Sequence, residues 1–276
     1  MQEPFQEKHD MFLTIENWQR QFPSLLAGFS TRKEGNSQAP FKSNNLGLHV
    51  GDDENAVHAN REKLALSLGV PLANWVFAQQ IHGNHIQRIT WSDRGSGVRD
   101  YTSGIAATDG LFTAEKGIVL ALAFADCVPL YFCSPHFQLV GVAHAGWRGT
   151  VRNIAGKMIT SWKQEGIPPE EVFVVIGPAI CQNCYRVDAR VIGEVKKLPV
   201  SAELFYQEVD DKQYTIDLKN LNRALLQQAG VPAGNIQVSG LCTSCREDLF
   251  FSHRRDSSKI GNTGRMLAFI GIKEDG

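Results

Sequence analysis

Few folds can accommodate the stretch from Gly117 to Thr150, GIVLALAFADCVPLYFCSPHFQLVGVAHAGWRGT. It holds two apolar, β-rich runs separated by a turn at Ser134 to His136, with Asp126 and Cys127 ending the first run and His144 ending the second. AGWRGT follows, and then Val151, Ile154, Ala155, Met158, Ile159 and Trp162 repeat along one stripe, as a core-facing helix requires. A cysteine and a histidine therefore arrive at strand ends, next to a glycine-bounded helix start that carries Arg148. Soft ligands beside the free N–H groups of a helix start point to a metal site adjoining an anion site.

The rest of the chain reads as strands in hairpin-like pairs that also alternate with helices. Leu25 to Thr31 is a strand entering a polar loop, and Asp52 or Asp53 caps a helix in which Val57, Leu64 and Leu68 recur before the stop at Gly69 to Pro71. WVFAQQIHGNHIQRITW is expected to be a hairpin turning at His82, Gly83 and Asn84, and DRGSGVRDYTSGIAATDG a long surface loop. EVFVVIGPAI, NIQVSG and RMLAFIGI supply further strands, and residues 188–197 and 217–229 further helices. Residues 1–22 are expected to form a leader and residues 23–276 a single α+β domain of mixed, largely antiparallel sheets covered by helices. No G-x-G-x-x-G follows a strand, which leaves a dinucleotide site without support.

Composition narrows the function classes. A formal net charge of −1 lacks the basic surplus of a nucleic-acid binder. The polar start MQEPFQEKHD shows no signal peptide, and Gly117 to Cys133, broken by Asp126 and Pro129, falls short of the ~20 apolar residues of a bilayer span. That run reads as paired strands. The expected location is the cytoplasm, with no membrane and no obligate protein partner. In a reducing compartment the six cysteines are buried thiols, ligands or catalytic groups. CQNC and CTSC lie much farther apart than the ~15–20 residues between the pairs of a zinc ribbon. They read as small buried residues near loops, with a four-cysteine zinc site across the fold as the alternative.

His82, Cys127 and His144 each lie where a β-rich run meets glycine, and two His with one Cys match a zinc shell with an open fourth position. Thiolate and imidazole suit zinc or copper far better than magnesium or calcium. Asp126 is the expected proton shuttle, or the partner that orients a ligating histidine. Arg148 offers a planar donor fork for phosphate, and Arg254 and Arg255 of HRRD, with Arg32 and Arg265, add positive charge. The alternatives are a copper oxidase of phenols, a metal-free hydrolase using Cys127 and His144 as nucleophile and base, and a scaffold held by structural zinc.

IHGN, ATDGL, ADCVPLYF, VAHAGWRGT, GPAI with CYRVD, CREDLFFSHRRD and TGR, joined upstream by STR and NNLGLHVGDD, resemble the bacterial laccase-domain family. That family was first labelled polyphenol oxidase and is now regarded as purine nucleoside phosphorylase. The resemblance runs from about Ser30 to Arg265 and implies one domain of α/β/β/α type, related to deamidating toxins that use a Cys–His pair. It implies zinc (copper under the older label) on His82, Cys127 and His144. It also implies a purine nucleoside and phosphate as substrates: phosphorolysis of adenosine, inosine and methylthioadenosine, with adenosine deamination. One departure is visible, since the first loop reads RKEGNSQAP where the family tends to carry paired glycines.

Overall fold

Continuous apolar runs suit strands buried on both faces, and the chain uses them in that way. The computed structural model describes residues 2–274, the side chains of residues 258–260 apart. Met1 and residues 275–276, the outer ends of the expected leader and domain, lie outside the described residues.

One six-stranded sheet runs in the order β1 (Phe5–Gln6), β2 (Phe12–Ile15), β3 (Leu25–Ser30), β15 (Met266–Ile272), β7 (Val119–Phe124) and β4 (Trp75–Phe77). A second runs β14 (Ile236–Val238), β10 (Phe173–Ile176), β8 (Val128–Ser134), β9 (Leu139–Ala145), β6 (Gly110–Thr113) and β5 (Ile86–Arg88). A small third sheet joins β11 (Arg186–Asp188), β13 (Gln213–Ile216) and β12 (Tyr206–Asp210). The pairs β4–β7, β5–β6 and β10–β14 are parallel and the remaining ladders antiparallel. The helices are α1 (Glu16–Gln21), α2 (Glu54–Leu68), α3 (Trp147–Val151), α4 (Ile154–Gln164), α5 (Ala189–Val195), α6 (Leu218–Gln228) and α7 (His253–Ile260).

The layers follow from side-chain parity along single strands. On β15, Ala268 and Ile270 face the second sheet, while Leu267 and Phe269 pack with Leu64 and Leu68 of α2. On β8, Tyr131 and Cys133 face the first sheet, while Leu130 and Phe132 pack with Trp162 of α4 and Leu221 and Leu225 of α6. The order is thus helix, sheet, sheet, helices, the single α+β domain expected. Asp53 caps α2 by accepting from the Ala56 amide, and Gly69 closes it in the left-handed region at φ 71°. Among the described residues no helix is long and apolar enough to cross a membrane.

Four local expectations change. The leader is built into the first sheet: β1 pairs with β2, and Phe5, 3% exposed, packs on Tyr131. Met11, Phe12, Leu13 and Ile15, all buried, are the sequence signal for it. β4 and β5 form no hairpin, since they belong to different sheets and His82 lies on the crossing between them. β7 and β8 likewise sit in different sheets, with Asp126 and Cys127 on the crossing. The helix after AGWRGT is divided at Asn153, which adopts φ 54° and caps the Gly156 amide with its side chain. Asparagine is one of the few residues that tolerates that conformation.

Candidate metal centre

Three chain segments meet at one end of the sandwich. His144 stands near the end of β9, paired across from Pro129 of β8. Cys127 follows Asp126, whose φ of 86° turns the chain sharply between the two sheets. His82 has φ 58° in the turn after β4. Such left-handed conformations are uncommon away from glycine, and neighbouring groups must hold them in place.

Asp109 supplies the hold. Its carboxylate accepts from the amides of Ile81 (3.2 Å), His82 (3.1 Å) and Gly83 (2.7 Å), and from His144 Nδ1 at 2.8 Å. A carboxylate only accepts, so Nδ1 carries a proton and Nε2 of His144 is the nitrogen left for a metal once it gives up its own proton. Burial works against the Asp109 charge, but the bonds from His144 and the amides outweigh it and keep the carboxyl below its usual range. The ligand atoms of His82, Cys127 and His144 all lie within 4.8 Å of one another. The two imidazoles meet edge to face, with centroids 4.7 Å apart.

Charge favours a cation there. Burial would raise the Cys127 thiol, but His144 and His82 beside it bring its pKa down to about 6. Burial would likewise lower His144, yet the Cys127 sulfur and Asp109 raise it to about 9. The pair rests as thiolate and imidazolium, and a metal would replace the imidazolium proton. Gly146 leaves space above the sulfur: a Cβ there would stand 2.9 Å from Cys127 Sγ and 3.2 Å from His82 Cδ2. Two imidazoles and a thiolate, with one imidazole fixed by a carboxylate, fit zinc as a three-ligand set.

A cavity opens on each side of the trio. One, of 240 Å³, is bounded by His49, Gln80, Tyr101 and Arg265; the other, of 230 Å³, by Trp147, Arg148, Tyr185 and Arg254. His82, Cys127 and His253 line both. A larger cavity of 540 Å³ beside the end of α2 contains no cysteine or histidine. Arg148 is exposed and lies over the Trp147 ring at 4.7 Å, and Arg254 lies over Tyr185 at 5.0 Å while donating to the Arg186 carbonyl. Because α3 has only five residues, the positive charge of this cavity comes chiefly from those guanidinium groups. Burial, followed by Arg265, lowers His49 to about 4, so it is a neutral imidazole.

The other expected residues have different partners. Asp126 accepts from Thr243 Oγ1 (2.7 Å), Ser252 Oγ (3.0 Å) and the Arg254 amide (2.6 Å). It holds the start of α7, and Asp109 takes the histidine-orienting role. Arg255 donates to Asp256 and to the carbonyls of Thr243, Ser244 and Phe250, and so braces loops. Arg32 donates to the carbonyls of Lys42 and Glu247, stacks on Phe251 at 4.6 Å, and borders neither cavity. Sequence reasoning left Asp109 unassigned, although ATDGL set it before a β-rich run as His82 and Cys127 are set beside theirs. The C-x-x-C pairs, read as separate buried thiols, converge: Cys181, Cys184, Cys242 and Cys245 also bring their sulfurs within 4.8 Å.

The model of the multi-copper polyphenol oxidoreductase laccase family matches residues 26–273. The chain is 48% identical to purine nucleoside phosphorylase YlmD of Bacillus subtilis (strain 168), covering 98% of each chain. It is 51% identical to the protein of the same name from Geobacillus stearothermophilus (strain DSM 13240 / CIP 106956 / 10), covering 92% of each. A crystal structure of YlmD from Geobacillus stearothermophilus superposes with a TM-score of 0.95 at 49% identity, covering 99% of this chain and 100% of that one.

Proposed function

This chain belongs to the multi-copper polyphenol oxidoreductase laccase family, and from that membership we propose that it is a zinc-dependent purine nucleoside phosphorylase. Its substrates are adenosine, inosine and methylthioadenosine, cleaved with phosphate to free base and pentose 1-phosphate, with deamination of adenosine in the same cleft. One observation carries the reading: the His82, Cys127 and His144 trio stands between two cavities, one of which carries Arg148 and Arg254. The names of the relatives support it.

Phosphate belongs in the arginine cavity, where two guanidinium groups can replace the water around a dianion. Neutral His49, Gln80 and Tyr101 offer hydrogen bonds to a base in the other. Held in that order, a phosphate oxygen bonds to the anomeric carbon, the carbon–nitrogen bond breaks, and the purine leaves with the electron pair and takes up a proton. When bound to the trio, zinc supplies a Lewis acid with an open position, able to polarise a substrate atom or acidify a water. Oxidation of phenols by several coppers would call for more imidazoles. Among the described residues the groups suited to a metal are this trio and an all-cysteine set.

The test incubates metal-analysed protein with inosine or adenosine, with and without phosphate, and identifies products by chromatography. Base and pentose 1-phosphate should form only with phosphate. Cys127→Ala should abolish turnover and lower zinc content while leaving the circular dichroism spectrum intact. Arg148→Ala should raise the KM for phosphate roughly tenfold, the loss of about 1.4 kcal/mol of binding, with zinc unchanged. Phenol oxidation that needs added copper and is indifferent to Arg148→Ala would replace this reading with the oxidase.

A further inference from the structure

We propose that Cys181, Cys184, Cys242 and Cys245 hold a second ion, a structural zinc, separate from the His82, Cys127 and His144 centre. The topology explains how pairs so distant in sequence meet. β10 and β14 are parallel neighbours with Ile176 opposite Val238, so both strands end on the same side of the second sheet. Each then runs into a C-x-x-C turn, CQNC after β10 and CTSC after β14.

The sulfur spacing suits a tetrahedron. Zinc–sulfur bonds of about 2.3 Å at tetrahedral angles separate the sulfurs by about 3.8 Å. Here Cys184 and Cys245 are 3.5 Å apart, Cys181 and Cys245 4.0 Å, and all four lie within 4.8 Å. A disulfide needs sulfurs about 2.05 Å apart, so these distances describe thiols gathered around a point and not a closed bond. Two backbone amides converge on one of the sulfurs: those of Cys181 (3.2 Å) and Cys245 (3.4 Å) both donate to Cys242 Sγ. Amide donors of this kind stabilise a thiolate. Four thiolates around a divalent ion leave net negative charge, and a buried cation stands nearby. Lys219 borders the same hollow as Cys181, with Nζ on the carbonyls of Ser239 (2.6 Å) and Leu241 (3.2 Å) next to Cys242.

Four ligands fill the zinc coordination sphere and leave no position for substrate, so the ion is structural. The first segment it joins borders the arginine cavity, and the second bonds to a residue that lines it. Ile180 and Tyr185 flank the first pair and line that cavity, and Thr243, inside the second pair, donates to Asp126 Oδ1 at 2.7 Å. The ion staples the wall of the cavity to the start of α7.

The test is metal stoichiometry on the full chain purified in reductant and reconstituted with zinc, together with the absorption spectrum after cobalt replacement. Wild type should bind two zinc ions per chain, and the double variant Cys184→Ser, Cys245→Ser should bind one. The charge-transfer bands of cobalt in an all-thiolate tetrahedron should vanish in that variant and persist in Cys127→Ala. Should the double variant not fold, wild type decides: native thiol titration should show the four cysteines protected by zinc and released by chelator. The same zinc content in wild type and the double variant, iron at the four-cysteine site, or a Cys184–Cys245 disulfide in the reduced preparation would each overturn the proposal. None of these readouts uses turnover, so failure here is distinguishable from failure of the phosphorylase reading.

Discussion

Asp109 and Asp126 show how much one carboxylate's surroundings matter. Asp126 is next to Cys127 in the chain, yet its φ of 86° and its bonds to Thr243, Ser252 and Arg254 commit it to α7. Asp109, distant in sequence, fixes the proton on His144 and holds the backbone under His82. Asp109→Asn should therefore weaken zinc binding by about 10–100-fold, read by competition with a chromophoric chelator. Asp126→Asn should leave zinc affinity alone and cost about 1–3 kcal/mol of stability, read by denaturant unfolding. Equal effects of both on the metal would show that the roles have been divided wrongly. The convergent trio was legible because cysteine and histidine beside glycine at strand ends form a distinctive combination. Their orienting partner was not, since closeness in the chain says little about closeness across two sheets.

At the scale of elements, periodicity found the buried faces and missed where they break. Ile154, Ala155, Met158, Ile159 and Trp162 are all buried as the stripe required, while Val151, its first member, is half-buried at the end of α3. One residue, Asn153, divides the stretch and leaves Arg148 on a short, separate helix. Asn153→Ala loses the cap on Gly156 and the polar side chain that lets asparagine tolerate the left-handed region, which should cost about 1–3 kcal/mol together. Asn153→Gly, which keeps the conformational freedom, should cost less; the order of the two unfolding midpoints checks this. β12 and β13 were overlooked because their residues are mostly exposed or half-buried and so carried little apolar signal. The meeting of the two C-x-x-C pairs was hidden for another reason. Spacing in sequence bounds a zinc ribbon, but here the parallel register of β10 and β14 brings the turns together.

For the whole molecule, the layer order was legible through the family resemblance and the assignment of strands to sheets was not. Strands such as β8 and β15 are buried on both faces, so alternation cannot say which sheet a run joins. Hence β4 and β5, and β7 and β8, looked like neighbours when each pair divides between the sheets. The sheets are tied by packing and by one polar bond at their centre, from Tyr131 Oη to the Gly28 carbonyl at 2.7 Å. Tyr131→Phe should cost about 1–2 kcal/mol in equilibrium unfolding with unaltered zinc content; no loss would mean that bond is energetically idle.

His82 and Cys127 ride on two of the stretches of chain that pass from one sheet to the other, and His144 is anchored in the second sheet. An ion held by these three would be gripped across the seam, and the gap between its donors would gauge the sandwich thickness. A bulkier side chain wedged deep between the layers, touching nothing in the cleft, would spread the jaws and loosen the grip from afar.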